Sequence, residues 1–109
     1  MNNDFTPWLD ALGAREKHRR EFFTKVFAVI ASHGFTLENP NAIDGGYRLS
    51  FKRGDCWIIA DRYASYPVAG ETAGVSLYNE SEEWECSFSA RSPVGLVIEA
   101  IKHVNPDQE

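Results

Sequence analysis

The chain has 109 residues, of which 43% are hydrophobic and 13% aromatic, and it carries a formal charge of −5. This apolar content excludes a globally disordered chain, and no apolar stretch is long enough to span a membrane. The N-terminus has no basic patch followed by an apolar stretch, so no secretory signal is predicted. We therefore expect a single domain over residues 1–109, located in the cytoplasm.

The negative charge is concentrated in the C-terminal half of the chain. Residues 1–62 carry nine basic and eight acidic side chains, whereas residues 63–109 carry two basic and eight acidic ones. A net acidic domain is repelled by phosphate backbones and by anionic lipid, which disfavours nucleic acid and membranes as partners. A protein partner with a basic surface is favoured, because opposite charge speeds encounter.

Two helical segments are predicted at the start of the chain. Thr6 and Pro7 are typical of an N-cap followed by the first helical residue, and they begin a short helical segment within residues 1–13. A longer helix is predicted from about Ala14 to Ser32, because its apolar residues recur every three or four positions. Gly34 is well placed to end this helix in the left-handed conformation.

The middle of the chain is predicted to form antiparallel strands. Residues 35–38 are compatible with a short strand, and residues 47–53 and 56–63 alternate polar with apolar side chains. Between the latter two, Gly54 and Asp55 are typical of a type II′ turn. Such a turn fixes the register of the hairpin, from Arg53 opposite Cys56 to Arg48 opposite Asp61.

Two more strands and a helix complete the prediction. The strands cover residues 74–79 and 84–90, and residues 64–73 form the loop before them. Ser92 and Pro93 begin the last helix, which ends before a short tail at 105–109. The fold class is therefore α+β, with an N-terminal helix, a four- or five-stranded antiparallel meander sheet and a C-terminal helix. Both helices are expected on one sheet face, since each must bury an apolar stripe.

The sheet face opposite the helices is the first candidate site. In the predicted register it collects aromatic, aliphatic and charged side chains, namely Arg48, Lys52, Trp57, Ile59 and, beside them, Tyr63. A Trp and an Ile together on a polar sheet form a larger apolar patch than the isolated apolar residues that are common on protein surfaces. Trp, Tyr and Arg are also enriched at binding hot spots. Two alternatives stay open: Trp57 merely covers its Lys and Arg neighbours, or the core face is reversed and Trp57 is buried.

An acidic run around a hairpin turn is the second candidate site. Its members are Glu80, Glu82, Glu83 and Glu85. They would dock on a basic partner surface, while a solvated loop is the alternative interpretation. Together the two sites favour a non-catalytic protein-binding domain of inhibitor, immunity or adaptor type.

Catalytic and metal chemistry find little support in the sequence. Cys56 and Cys86 are far apart and unaccompanied by histidine at ligand spacing, so no metal or cofactor is predicted. Both thiols are expected to be small buried groups in a reducing compartment. No nucleophile and base stand at a recognisable spacing, and an enzyme is not predicted.

Three further interpretations remain as alternatives. A pocket between sheet and helices, lined by Trp8, Phe27 and Trp84, would bind a small ligand. The basic stretch at residues 15–20 would contact nucleic acid, although no aromatic interleaving supports it. The open sheet face would alternatively serve a homodimer.

Overall fold

Three helices pack on one face of a five-stranded sheet. The computed structural model describes residues 4–12, 17–62 and 74–103. In these ranges the helices are α1 (Thr6–Asp10), α2 (Lys17–Ser32) and α3 (Val94–His103), with one 3-10 turn at Pro40–Ile43. The strands are β1 (Thr36–Leu37), β2 (Arg48–Arg53), β3 (Cys56–Asp61), β4 (Gly74–Asn79) and β5 (Trp84–Ser89). All pairs are antiparallel and the strand order follows the chain, which confirms the predicted α+β class.

The ends of the first two helices are set by short-range hydrogen bonds. Thr6 is the first residue of α1 rather than its N-cap, which is Phe5, and the Thr6 N–H donates to Asp4 Oδ1 at 3.0 Å. Hydrogen bonds from the Thr6 hydroxyl and N–H lower the pKa of Asp4. The predicted start of α2 near Ala14 lies outside the described residues. Its C-terminus follows the prediction, since Gly34 has a φ of 80° and ends the helix.

The β2–β3 hairpin has the register that the sequence predicts. All six pairs match, from Arg53 opposite Cys56 to Arg48 opposite Asp61. Gly54 has a positive φ of 58°, and the φ of Asp55 is not positive. A type II′ turn requires this combination. Side chains on the two strands are therefore assigned to definite sheet faces.

The core lies between the sheet and the helices. On β2 and β3 the buried side chains are Leu49, Phe51, Cys56, Ile58 and Ala60, none more than 3% exposed. They belong to one apolar cluster with Val75 and Leu77 of β4 and with the buried faces of all three helices. The reversed-face alternative is therefore wrong, and Trp57 lies on the side away from the helices.

The helices cover the sheet less completely at β5 than at β4. The inward positions of β4 are buried, but those of β5 are half-buried at Trp84 and Phe88 and exposed at Cys86. The prediction that both thiols are buried is thus wrong for Cys86 and confirmed for Cys56. Strand alternation assigned Cys86 to the correct face, but it does not show how far the helices extend over that face. The strand also ends at Ser89, one residue before its predicted end.

We expect the two thiols to differ sharply in reactivity. Cys56 is 1% exposed, and burial raises the pKa of its thiol. A chromogenic disulfide reagent should therefore titrate one thiol per chain under native conditions and two after unfolding. The Cys86→Ser variant is the control and should lose the native signal. A rapid native reaction in that variant would contradict the assignment.

Candidate protein interface on the outer sheet face

The outer sheet face, on the side away from the helices, is organised in cross-strand rows. One row contains Lys52, Trp57, Tyr78 and Glu85, each directly opposite the next on the neighbouring strand. We call these four residues the aromatic row. Directly opposite side chains in antiparallel strands are close enough to interact, so the register itself builds a contiguous surface.

Ring contacts order the aromatic row. The rings of Trp57 and Tyr78 are stacked, with centroids 6.1 Å apart and planes inclined by 10°. Lys52 Nζ lies 4.9 Å from the centroid of the Trp57 ring, within cation–π range. The Trp57 Nε1 atom is covered and has no hydrogen-bond acceptor among the described residues. The partly exposed indole is therefore held by ring contacts.

The rest of the outer face is more polar. Ile59 is half-buried in the next row, where it lies opposite Ser50 and Ser76. One row further, Arg48 Nε donates to Asp61 Oδ1 at 2.8 Å, and this bond raises the pKa of Arg48. Arg48 is thus compensated by Asp61. Tyr63, the last predicted member of this surface, lies outside the described residues.

The acidic turn, residues 80–83, lies at the same end of the sheet as the aromatic row. Glu80 N–H donates to the carbonyl oxygen of Asp55 in the β2–β3 turn at 3.0 Å, so the two turns are adjacent. The aromatic row is the next-to-last row at this end, and Glu85 belongs to it. The fold therefore places Lys52, Trp57 and the predicted acidic residues at the same end of the sheet.

Asn79 gives the acidic turn its shape. Its Oδ1 accepts hydrogen bonds from Ser81 Oγ at 2.9 Å and from Glu82 N–H at 2.8 Å. Its Nδ2 donates to Cys56 Sγ at 3.2 Å. Glu83 adopts a left-handed φ of 58°, which closes the turn toward β5. The carboxylates are therefore presented by an ordered turn, with Glu82 also accepting from Trp84 Nε1 at 3.0 Å.

Tyr78 is the member of the surface that sequence reasoning missed. Its alternation with the inward Leu77 signalled an outward side chain, but nothing fixed its partner. The β3–β4 connection spans residues 62–73, too long to set a register as a two-residue turn does.

The alternative pocket is not assembled as predicted. Trp8 is fully buried, and Trp84 lies on β5 at the far edge of the sheet. Phe27 instead lines a half-open groove of about 480 Å³ between α1, α2 and the β1 side of the sheet. The side chains that line the groove are apolar apart from those of Thr6 and Thr24.

The basic stretch at residues 15–20 is only partly described. Lys17 and His18 are exposed at the start of α2, and Arg20 is paired with Asp10 at 2.6 Å. Within residues 4–12, 17–62 and 74–103, no cluster of three or more His, Cys, Asp or Glu could hold a metal ion. In the same ranges, no helix has both the length and the apolarity needed to cross a bilayer.

Comparison with protein-family models, curated proteins and solved structures gives no significant match to this chain.

Proposed function

We propose that this chain is a non-catalytic protein-binding domain of inhibitor, immunity or adaptor type. Its outer sheet face contacts a protein partner that has a basic surface. The observation that carries the proposal is the aromatic row, in which stacked Trp57 and Tyr78 rings are partly exposed beside the acidic turn.

Shape and preorganisation support this proposal. Large aromatic rings contribute most to interface energies when they are rigid and already in place. Trp57 is fixed by Tyr78 on one side and by the Lys52 ammonium on the other. A partner that covers the row would therefore bury apolar area at a low cost in conformational entropy.

Charge supports the class of partner. Glu80, Glu82 and Glu83 are exposed in the acidic turn, and Glu85 is exposed at the end of the aromatic row. Of the outer-face cations nearby, Arg48 is paired with Asp61, and the single ammonium group of Lys52 is outnumbered by these four carboxylates. This end of the face is therefore negative, and basic side chains would gain both encounter rate and orientation.

A reducing compartment such as the cytoplasm fits the same proposal. Cys56 and Cys86 are both free thiols, and free thiols are typical of proteins that remain in reducing surroundings. We propose no catalytic role, cofactor or metal for the outer face, because its polar groups are paired ions, serines and exposed carboxylates.

The test compares three variants in capture from native lysate, followed by titration of the captured partner. Trp57→Ala should lower the free energy of unfolding by about 1 kcal/mol, because the side chain is only partly buried. It should weaken partner binding by about 100-fold, as expected for a central aromatic anchor. Trp57→Phe should retain most of the affinity, because it keeps a ring beside Tyr78 and Lys52.

The matched control is Leu96→Ala, which removes an apolar side chain that is 58% exposed on α3. This variant should bind like the wild-type chain. Equal partner binding by Trp57→Ala and wild type would refute the proposal. Unfolding of Trp57→Ala would contradict the placement of the indole on the outer face.

The groove beside Phe27 favours a second candidate function, the binding of an apolar small molecule. Its volume of about 480 Å³ is in the range of ligand sites. The two candidates are separable, because Trp57 lies on the opposite sheet face from the groove. Trp57→Ala should leave binding of an apolar ligand unchanged.

A further inference from the structure

The strand β5 forms one edge of the sheet. Within the described ranges it pairs with β4 alone, so no described strand is hydrogen-bonded to the backbone groups on its other side. Such an edge is a template for another strand unless the sequence blocks it. The six residues Trp84–Ser89 contain no proline and no lysine, and the β4–β5 register is regular along its whole length. Among the described residues no strand lies beside this edge, and Glu85 is the one charged side chain on it.

The side chains of β5 add an apolar surface to this edge. On the helix side of the sheet, exposed Cys86 lies between the half-buried rings of Trp84 and Phe88. Both rings touch the core on one side and remain partly open on the other. An added strand would cover them while it satisfies the backbone groups.

We propose that β5 pairs antiparallel with β5 of a second copy of this chain, around a two-fold axis at Cys86. This pairing extends the two sheets into one and leaves Lys52, Trp57 and Tyr78 uncovered, so it does not compete with the proposed use of the Trp57 and Tyr78 rings. Trp84 then lies opposite Phe88 of the other copy, and Cys86 lies opposite Cys86. Glu85 lies opposite Ser87 on the outer face.

Self-complementarity selects this occupant and this register. An axis at Glu85 would place two carboxylates directly opposite each other, which is destabilising. An axis at Cys86 avoids that repulsion. It also forms the contact between Trp84 and Phe88 twice, once on each side of the axis. Because both strands of the pair are β5, no second kind of protein is required.

Charge complementarity at the strand ends supports the same antiparallel pairing. The acidic turn precedes β5 and Arg91 follows it, so the pairing places the acidic turn of one copy and Arg91 of the other at the same end of the joined sheet. Arg91 and the neighbouring Glu80, Glu82 and Glu83 are all exposed in one chain. The dimer therefore brings a cation to each acidic turn, and the two-fold axis repeats the contact.

The first test measures mass in solution by sedimentation over roughly 5–500 μM protein, a range suited to a small interface. The wild-type chain should shift to twice its monomer mass within this range. Cys86→Lys should stay monomeric, because it places two ammonium groups opposite each other at the axis. Cys86→Thr keeps a neutral side chain suited to strands and should still dimerise.

Circular dichroism controls for folding, and both variants should remain folded since Cys86 is exposed. A wild-type chain that stays monomeric throughout this range overturns the proposal. Undiminished dimerisation of Cys86→Lys overturns it as well. Thr36→Lys on β1, at the opposite edge, should not change the mass.

The second test examines the register by oxidative cross-linking with copper phenanthroline. Two Cys86 thiols lose two protons and pass two electrons to the copper oxidant as one S–S bond forms. Directly opposite residues lie about 4.5–5.5 Å apart at Cα, which a disulfide can span. A mildly alkaline buffer is needed, because partial desolvation raises the pKa of Cys86.

Under these conditions the wild-type chain should form disulfide-linked dimers. The matched variant Cys86→Ser with Ser87→Cys carries an equally exposed thiol one residue along and should cross-link at least tenfold more slowly. Faster cross-linking at position 87 would overturn the proposed pairing. Cys86→Ser alone should give no cross-link, because Cys56 is buried.

Discussion

Replacing Trp8 with alanine is expected to lower the free energy of unfolding by about 3–5 kcal/mol, the range for deleting a buried aromatic ring. The indole is 0% exposed and makes edge-on contacts with Phe23 at 4.9 Å and Phe27 at 5.3 Å. Arg62 lies over its ring at 5.3 Å. Helix α1 has only five residues, too few to be stable without such packing.

Urea unfolding followed by far-ultraviolet circular dichroism would measure this loss. Trp84→Ala is the matched control, and its cost should be near 1 kcal/mol because Trp84 is only half-buried on β5. Trp8→Phe should cost less than Trp8→Ala, since the Trp8 indole N–H has no acceptor among the described residues. Equal losses for Trp8→Ala and Trp84→Ala would contradict the central position of Trp8.

Replacing Asn79 with alanine is expected to cost about 2–3 kcal/mol and to loosen the acidic turn. The side chain is 9% exposed and joins Ser81, Glu82 and Cys56 through three hydrogen bonds. Each such hydrogen bond contributes about 1 kcal/mol to stability. A buried polar group that loses its hydrogen-bond partner lowers stability further. The turn also contains three glutamates, whose repulsion would favour the loosened state.

Hydrogen exchange of the Glu82 amide measures the local part of this effect and should accelerate in Asn79→Ala more than amides of β2. Asn39→Ala is a suitable control, because the Asn39 side chain makes two similar bonds, with Arg48 O and Ser50 N–H, at a less buried place. Its cost should be smaller and its effect on Glu82 absent. Unchanged exchange at Glu82 in Asn79→Ala would refute the role assigned to Asn79.

The parts of the fold that were predictable are those that local chemistry determines. A two-residue turn with a glycine at its first position sets the β2–β3 register by itself, so Lys52 and Trp57 could be paired from sequence. Alternation then placed Trp57 and Leu49 on opposite faces, and the structure confirms this. Gly34 likewise marked the end of α2, because a left-handed residue is needed there.

The parts that could not be predicted depend on distant segments. Tyr78 stacks on Trp57 only because β4 pairs with β3 in one register, and a long connection leaves that register open. Cys86 was expected to be buried, but its exposure depends on how far α2 and α3 extend over the sheet. The bridging role of Asn79 also links β4 to β3 and to its own turn, which no local pattern signals.

The two edges of the sheet are unequal, and this limits how large an assembly can grow. The edge strand β1 has two residues while β5 has six, so only one side offers enough backbone for a stable new ladder. Once another strand has paired with β5, the described sheet has no second edge strand of similar length to which a further copy could be added. In the proposed β5 pairing, growth therefore stops at a closed pair, and the geometry of the monomer disfavours an endless fibril of stacked sheets.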